Sequence, residues 1–525
     1  MRQLSGHDAS FLYSDTLHAN SNVTLIQIYD QSTAPGGKVR FKSILSHIES
    51  RLHRSPIFRS KLQRVPLELD YPYWIEDEHF DLEYHVRHIA LPKPGDWRQF
   101  CIQASRIHAR ALDLNRPLWE IYVIEGLDSF IDLPAGSFAL LTKIHHAAID
   151  VENRNEITEV LHDTTRRPPK PVPPEPWFPE PAPGAFSLTC RGVFNSMLSP
   201  WKLMSPLVRI APAAFAFASD VLRPAEHQTA TRFNSVVSSH RVFDTRRFML
   251  DEFKSIRGLV AGATVNDAVL AVCAGGLRRY LDAHGELPDA DLAAIAPIYI
   301  RDADTVGAAK PDVSWLRVQL GTHLVDATER LKWIHQQTSS SQIIASAVAA
   351  ADLTDVNEHA PAATLAVTSN LFGRAAGVAG QGMAPASCTI TNVPGPSVPL
   401  YLNGARLTYF SAIMPISDGM GLVFAVTSYD RRIVVSPTSC RELMPDPQAF
   451  AQCVRDSFQE YLALARGEAT AKAAKKRAAK KRARPAKPRA SASDTRSPAH
   501  RTARSAATAL RAAKDGRRRS TAPRR

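Results

Sequence analysis

The segment Lys143-Ile144-His145-His146-Ala147-Ala148-Ile149-Asp150 holds the residue types that move protons. An imidazole, with its pKa near 6.5, accepts a proton at neutral pH and returns it later in the same turnover. Residues Phe138 to Ile144 are mostly apolar and read as a strand, so both histidines fall at a strand end. There a sheet fixes the backbone while a ring projects into a cleft. Asp150, four residues past His146, is placed to hold the turn or to orient an imidazole. The doublet alone carries no weight, because eighteen histidines in 525 residues give about 0.6 adjacent pairs by chance. The strand-end position and the following acid single it out.

A second pattern is Thr264-Val265-Asn266-Asp267. A Thr with an acid three residues on is a capping signature and predicts a helix to about Ala283. The helix dipole favours an acid in the first turn, so capping by itself accounts for this pair. Other chemistries have little support. The chain has no GxSxG elbow of a serine hydrolase, no P-loop and no GxGxxG run. Its six cysteines (Cys101, Cys190, Cys273, Cys388, Cys440 and Cys453) lie far apart without a CxxC pair. They read as reduced thiols of a cytoplasmic protein, and neither a metal site nor a disulfide framework is expected.

The elements that must position these residues alternate between strand and helix. Strands are expected over Val23 to Tyr29, Tyr73 to Ile75, Trp119 to Ile124 and Phe138 to Ile144. Helices are expected over Val39 to Leu52 and Trp97 to Leu112, with another starting just after Asp150. The second half predicts strands at Ala294 to Ile300, Leu316 to Leu324, Cys388 to Asn392, Leu422 to Ser428 and Ile433 to Ser436. Its helices are Thr264 to Ala283, Ala327 to Gln337 and Pro447 to Ala465. This is an α/β protein, with sheets covered by helices in two halves of comparable size. Nine prolines within residues 168 to 183 mark an extended crossover between the halves.

At 525 residues the chain is long enough for two or more domains. Its net charge of +13 is unevenly placed: residues 471 to 525 hold 20 Lys and Arg against Asp494 and Asp515, so the rest is mildly acidic. That tail has no Phe, Trp or Tyr and is expected to be disordered. Polar MRQLSGHDASFLYSD at the N-terminus is not a signal peptide, and no apolar run reaches the roughly 18 residues that span a bilayer. Ser196 to Leu222 comes nearest, but Lys202, Arg209 and three prolines interrupt it, so it is expected at most to lie on a membrane surface.

HHAAIDV (His145 to Val151) resembles the HHxxxDG motif of the CoA-dependent acyltransferase superfamily, and the chain as a whole resembles the bacterial wax ester synthase/diacylglycerol acyltransferase family. The resemblance covers roughly residues 3 to 465. It rests on LSGHDASFLY (Leu4 to Tyr13), RPLWE with Pro117-Leu118-Trp119, ATVNDAVLAVCAGGLRRYL with Asn266-Asp267, TNVPGP (Thr391 to Pro396) and RELMPDPQAF (Arg441 to Phe450). It implies two chloramphenicol-acetyltransferase-like domains, each a mixed sheet covered by helices: residues 1–165, and residues 187–466 with a membrane-surface segment at 196–222. A Pro-rich linker at 166–186 joins them, and a disordered tail occupies 467–525.

By the same resemblance His146 matches the general base, His145 its neighbour and Asp150 the motif Asp, mainly structural. Asn266 becomes the candidate donor to the oxyanion. Pro117, Leu118, Trp119 and Asp267 are motif residues, with Trp119 read as a core aromatic. The implied partners are acyl-CoA as co-substrate with no further cofactor, diacylglycerol or a fatty alcohol as acceptor, and an anionic membrane or lipid-droplet surface. The implied location is the inner face of the plasma membrane or lipid bodies. Two departures are visible. The motif Gly is Val151, and the Gly-Asn element expected after the strand at Pro297 to Ile300 is replaced by GAAKPDVSWLRV. A catalytically weak or inactive lipid-binding paralogue, and a protein contacting nucleic acid non-specifically through its tail, therefore stay open beside the transferase.

Overall fold

The computed structural model describes residues 1–130, 133–134, 136–149, 156–168, 176–195, 230–300, 312–339, 386–396 and 398–482. In chain order the first part holds β1 (Arg2–Gln3), α1 (Gly6–Ser14), β2 (Asn22–Asp30), α2 (Phe41–Glu49), β3 (Ser60–Gln63), β4 (Tyr73–Glu76), α3 (Leu82–His85), β5 (Val86–Ala90), α4 (Trp97–Ala109), β6 (Trp119–Glu125), β7 (Phe138–His145) and α5 (Glu156–Leu161). Then come α6 (185–195), β8 (Arg241–Phe243), β9 (Arg246–Met249), α7 (Leu250–Arg257), α8 (Val265–Ala283), β10 (Ala293–Ile300), β11 (Asp312–Gln319), α9 (Ala327–Ser339), β12 (Cys388–Pro394), β13 (Tyr401–Leu402), β14 (Ala405–Ile413), β15 (Val423–Tyr429), β16 (Arg432–Cys440) and α10 (Pro447–Arg482). Met1–Thr470 forms one compact unit and Ala471–Arg525 another.

Two mixed sheets organise the larger unit. The first has the order β13-β14-β2-β7-β6-β5, and the second β11-β10-β12-β15-β16-β8 with β9 also on β16. Pairs β5–β6, β10–β12 and β12–β15 are parallel; the other pairs in these sheets are antiparallel. β2 reads NVTLIQIYD with eight of nine residues buried, and all eight of β7 are buried, as central strands covered on both faces require. α4 packs its Phe100, Ala104 and Ile107 on one of those faces, and Leu140, Ile144 and Trp119 fill a core on the other.

β14 comes from the second half of the chain but pairs with β2 of the first, Ile413 opposite Thr24. It also touches the second sheet, where Thr427 donates to the Phe410 carbonyl (2.9 Å) and Tyr429 to that of Leu407 (3.2 Å). Motif residues of the second half are packing devices. A Cβ on Gly276 would sit 2.7 Å from Val454 Cγ2, so the Gly pair of α8 lets α10 approach. A Cβ on Gly395 of TNVPGP would sit 2.3 Å from the Ser428 carbonyl oxygen.

Three expectations change. α4 stops at Ala109 instead of Leu112, because its last carbonyls are taken from outside: Asn20 donates to Ala109 O and Asn22 to Arg110 O, each at 3.2 Å, and Lys143 also donates to Arg110 O. β11 ends at Gln319, ahead of the expected Leu324, since Gly321 turns the chain with φ +64°. The closing helix runs past Ala465 to Arg482, so the start of the tail is helical. Ala, Lys and Arg are strong helix formers, and the first proline of the tail is Pro485. No helix among the described residues is long and apolar enough to cross a membrane.

Candidate active site at the end of β7

β7 delivers the two histidines to a point held from both sides. In register, Asn22 of β2 lies opposite His145, and Trp119 of β6 lies opposite Ile144. One residue further the pairing continues through single bonds. His145 N–H donates to Leu118 O (3.0 Å) and His146 N–H to Ser21 O (2.8 Å). Pro117-Leu118-Trp119 is thus the backbone rail beside the first histidine. Leu118 and Trp119 are fully buried, and the Trp119 indole donates to Phe58 O (3.1 Å) while stacking on His85 at 4.6 Å. Trp119 is a core aromatic.

A 3₁₀ turn, His146–Ala148, follows. His145 caps it: the Ala147 N–H donates to His145 Nδ1 at 3.1 Å. That bond leaves the ring proton on Nε2, which lies 3.0 Å from Asp15 Oδ2 and donates to it. Only 1% of the His145 side chain is exposed. With one nitrogen accepting and the other donating inside the protein, His145 is built to hold the turn. Asp15, the residue that closes α1, uses its other oxygen to accept from Ser21 N–H (2.7 Å). Ser21 Oγ in turn donates to Phe11 O (3.1 Å).

His146 is half-buried, and its ring lies on that of Phe11 with centroids 3.9 Å apart and planes 20° from parallel. Phe11 meets His7 edge-on at 5.2 Å. α1, capped by Ser5, whose side chain accepts from Asp8 N–H (3.0 Å), therefore places one residue against each histidine. The opening run Leu4 to Tyr13 is the platform of the site. Neither Phe11 nor Asp15 was legible as a functional residue from spacing, since both act across more than 100 residues of chain.

Polar groups continue along the same face. Lys143 is fully buried, with Glu120 Oε2 3.8 Å away. Burial drives its pKa down from 10.5 to about 8, against the opposing pull of Glu120. His108 shares a 2.9 Å hydrogen bond with Thr24 Oγ1, and its pKa lies well below the usual imidazole value because of burial and the neighbouring Arg241 and Lys143 charges.

Asn266 and Asp267 open α8 as the capping signature requires. Thr264 accepts from Asp267 N–H (3.1 Å), and the Asp267 carboxylate accepts in return from Thr264 N–H (2.8 Å). Asp267 also accepts from Thr338 Oγ1 (2.8 Å) and meets His335 Nδ1 (3.0 Å), tying α8 to α9. Asn266 is half-buried, and among the described residues no hydrogen bond or ring contact links it to His145 or His146. Asp150, Val151 and the region of the missing Gly-Asn element up to residue 311 lie outside the described residues.

Two mixed sheets that present a histidine pair at a strand end, on a turn locked by buried polar groups, agree with the CoA-dependent acyltransferase class that the motifs resemble. Within that class the chain belongs to the wax ester synthase/diacylglycerol acyltransferase family. Residues 4–269 match the family's catalytic domain and residues 312–461 its C-terminal domain. It is 31% identical to the O-acyltransferase WSD of Acinetobacter baylyi over 424 residues, covering 77% of this chain and 84% of that one. A Mycobacterium tuberculosis relative, provisionally named a diacylglycerol O-acyltransferase, is also 31% identical, over 90% of this chain and 99% of its own. Among solved structures, the wax ester synthase/diacylglycerol acyltransferase of Marinobacter aquaeolei VT8 superposes with a TM-score of 0.60 at 26% identity, over 88% of this chain and 99% of the other. A trichothecene 15-O-acetyltransferase of Fusarium sporotrichioides shares the fold at a TM-score of 0.53 and 10% identity, with 88% and 94% covered.

Proposed function

We infer that this chain moves a long-chain acyl group from acyl-CoA to the free hydroxyl of diacylglycerol, forming triacylglycerol, and takes long-chain alcohols as further acceptors. His146 is the general base. It removes the hydroxyl proton as the oxygen attacks the thioester carbonyl. The tetrahedral intermediate then collapses, the C–S bond breaks, and the imidazolium returns the proton to the departing thiolate. Because CoA thiolate is a good leaving group, no acyl-enzyme is needed. A positioned base contributes about 10²–10⁴ in rate. The side-chain amide of Asn266 is the proposed donor to the oxyanion, and Asp150 is proposed to brace the turn.

The observation that carries this reading is the division of labour between the histidines. His145 has both nitrogens engaged in the scaffold, whereas the half-buried ring of His146 is carried at the turn's start against Phe11. Domains at 1–165 and 187–466 around a linker at 166–186, and peripheral attachment to an anionic membrane or lipid-body surface, complete the proposal. The tail's 20 Lys and Arg support attachment, since each basic residue near an anionic surface contributes roughly 1 kcal/mol. The test is CoA release from palmitoyl-CoA with dioleoylglycerol or a fatty alcohol. His146→Ala should abolish release while urea unfolding stays cooperative, and near-parental turnover would overturn the assignment.

A further inference from the structure

A cleft of about 1270 Å³ lies between α4, the β8–β9 segment and the start of α10. Eight arginines and only three aspartates line it. Arg98 and Arg106 are eight residues apart on α4 and Arg110 follows its end, so helical spacing places them along one side, away from the face that packs Phe100, Ala104 and Ile107. Arg241 of β8, Arg441 and Arg455 complete the ring. Two of the acids are already committed. Asp96 caps α4 by accepting from Gln99 N–H (2.8 Å), and Asp244 takes Arg246 (2.9 Å) and the Trp97 indole (2.6 Å). Among the described residues, no carboxylate forms an ion pair with Arg98, Arg106, Arg110, Arg241, Arg441 or Arg455.

Isolated surface arginines are ordinary; this many converging on one concavity repel one another and raise the energy of the fold. A planar guanidinium fork matches phosphate oxygens in pairs, so the ligand that relieves the repulsion is a polyphosphate-type anion. Two lining residues are bonded to neighbours of the histidine turn. Arg110 O accepts from Lys143, which precedes His145 by two residues, roughly 7 Å along the strand. Arg241 donates to His18 O (2.8 Å), in the loop between Asp15 and β2.

We propose that this arginine cleft binds the phosphorylated nucleotide head of the acyl-CoA donor, holding it while the thioester reaches His146. The proposal rests on acyl-CoA being the donor. An anionic lipid headgroup offers the same phosphate chemistry, but the bonds between Arg110 and Lys143 and between Arg241 and the loop after Asp15 favour a molecule whose other end reacts at the turn.

The test uses the full chain and the variant Arg98→Gln/Arg106→Gln/Arg455→Gln, at exposed positions with no side-chain hydrogen bond among the described residues. Adenosine 3′,5′-bisphosphate is titrated calorimetrically at about 0.1 M salt. Its affinity should fall at least about tenfold in the variant, because each lost arginine–phosphate contact is worth that much. The KM for palmitoyl-CoA should rise in parallel with kcat retained, and palmitoyl-pantetheine, which lacks the nucleotide, should not distinguish the two proteins. Equal affinity of both proteins for the bisphosphate overturns the proposal. So does a variant that loses only its binding to phosphatidylglycerol vesicles, which makes the cleft a headgroup site. Arginine-dependent bisphosphate binding by a protein that turns over neither acceptor would sustain the cleft and refute the transferase reading instead.

Discussion

Asp15→Asn removes one charge and almost no volume, and so isolates the brace beneath the histidine pair. In the parent, one Asp15 oxygen accepts from Ser21 N–H (2.7 Å) and the other from His145 Nε2–H (3.0 Å). An asparagine keeps the first bond through its carbonyl and turns an NH₂ toward the second. Two donors then face each other. His145 can relieve this only by moving its proton to Nδ1, which strips Ala147 N–H of its acceptor. Either way one buried donor is left unpaired, at a cost of about 1–3 kcal/mol. The same change loosens the turn that carries His146, and a displacement on the order of 1 Å lowers rate by about 10²-fold. Asp15→Asn should therefore lower unfolding free energy by about 2 kcal/mol in urea and reduce kcat between about 10- and 100-fold, read as thiol release from palmitoyl-CoA. His145→Ala has already broken the link, so in that background Asp15→Asn should add little, a coupling within the roughly 0.5–3 kcal/mol range of contacting residues. An equal stability loss in both backgrounds, or a parental kcat for the single variant, would refute the brace.

Lys143 makes a pH-dependent prediction. Its pKa of about 8 in the fold is below its ordinary 10.5, so between those values the unfolded chain holds a proton that the native chain has released. Its contribution to stability therefore rises with pH in that window, and below about 8 the full penalty for burying the charge remains. Relative to Lys143→Met, the parent should gain about 2 kcal/mol between about pH 7 and 9.5 in urea titrations; parallel curves would contradict the buried charge. Trp119→Phe leaves the Phe58 carbonyl without its indole donor and opens a void beside His85, so it should cost about 2–3 kcal/mol of stability with little change in kcat. A kcat loss without a stability loss would move Trp119 from the core to the chemistry. Deleting residues 471–525 should preserve turnover of detergent-dispersed substrate and weaken salt-sensitive binding to anionic vesicles, and equal binding at low salt would remove the tether.

Local signals were legible where one stretch of chain settles the outcome. Thr264 and Asp267 announce the start of α8 because a capping box is a four-residue device, and β7 is readable because a strand buried on both faces is mostly apolar. The start of the tail, up to Arg482, differs from expectation for a related reason. Its charge and lack of aromatics argue against a packed core, yet Ala, Lys and Arg keep high helix propensity without one, and α10 continues to Arg482. The end of α4 was not readable at all, because the donors that take its final carbonyls, Asn20, Asn22 and Lys143, come from other parts of the chain.

The same distinction explains why the site was half visible. A histidine pair at a strand end is a local pattern, but the division of roles between the two rings is not. It depends on Asp15 and Phe11, brought in by a helix more than 100 residues upstream. β14 adds a long-range constraint that no window of sequence contains. It pairs with β2 through Ile413 and Thr24, only two positions from the Asn22–His145 pair, while Ser411 meets Ser436 of the second sheet. The strand beside the histidine turn is thus held by a segment that also belongs to the interface between the two sheets. A substitution that shifts one sheet against the other should therefore displace β2, and through the bond from His146 N–H to Ser21 O the backbone of His146, without altering a residue of the motif.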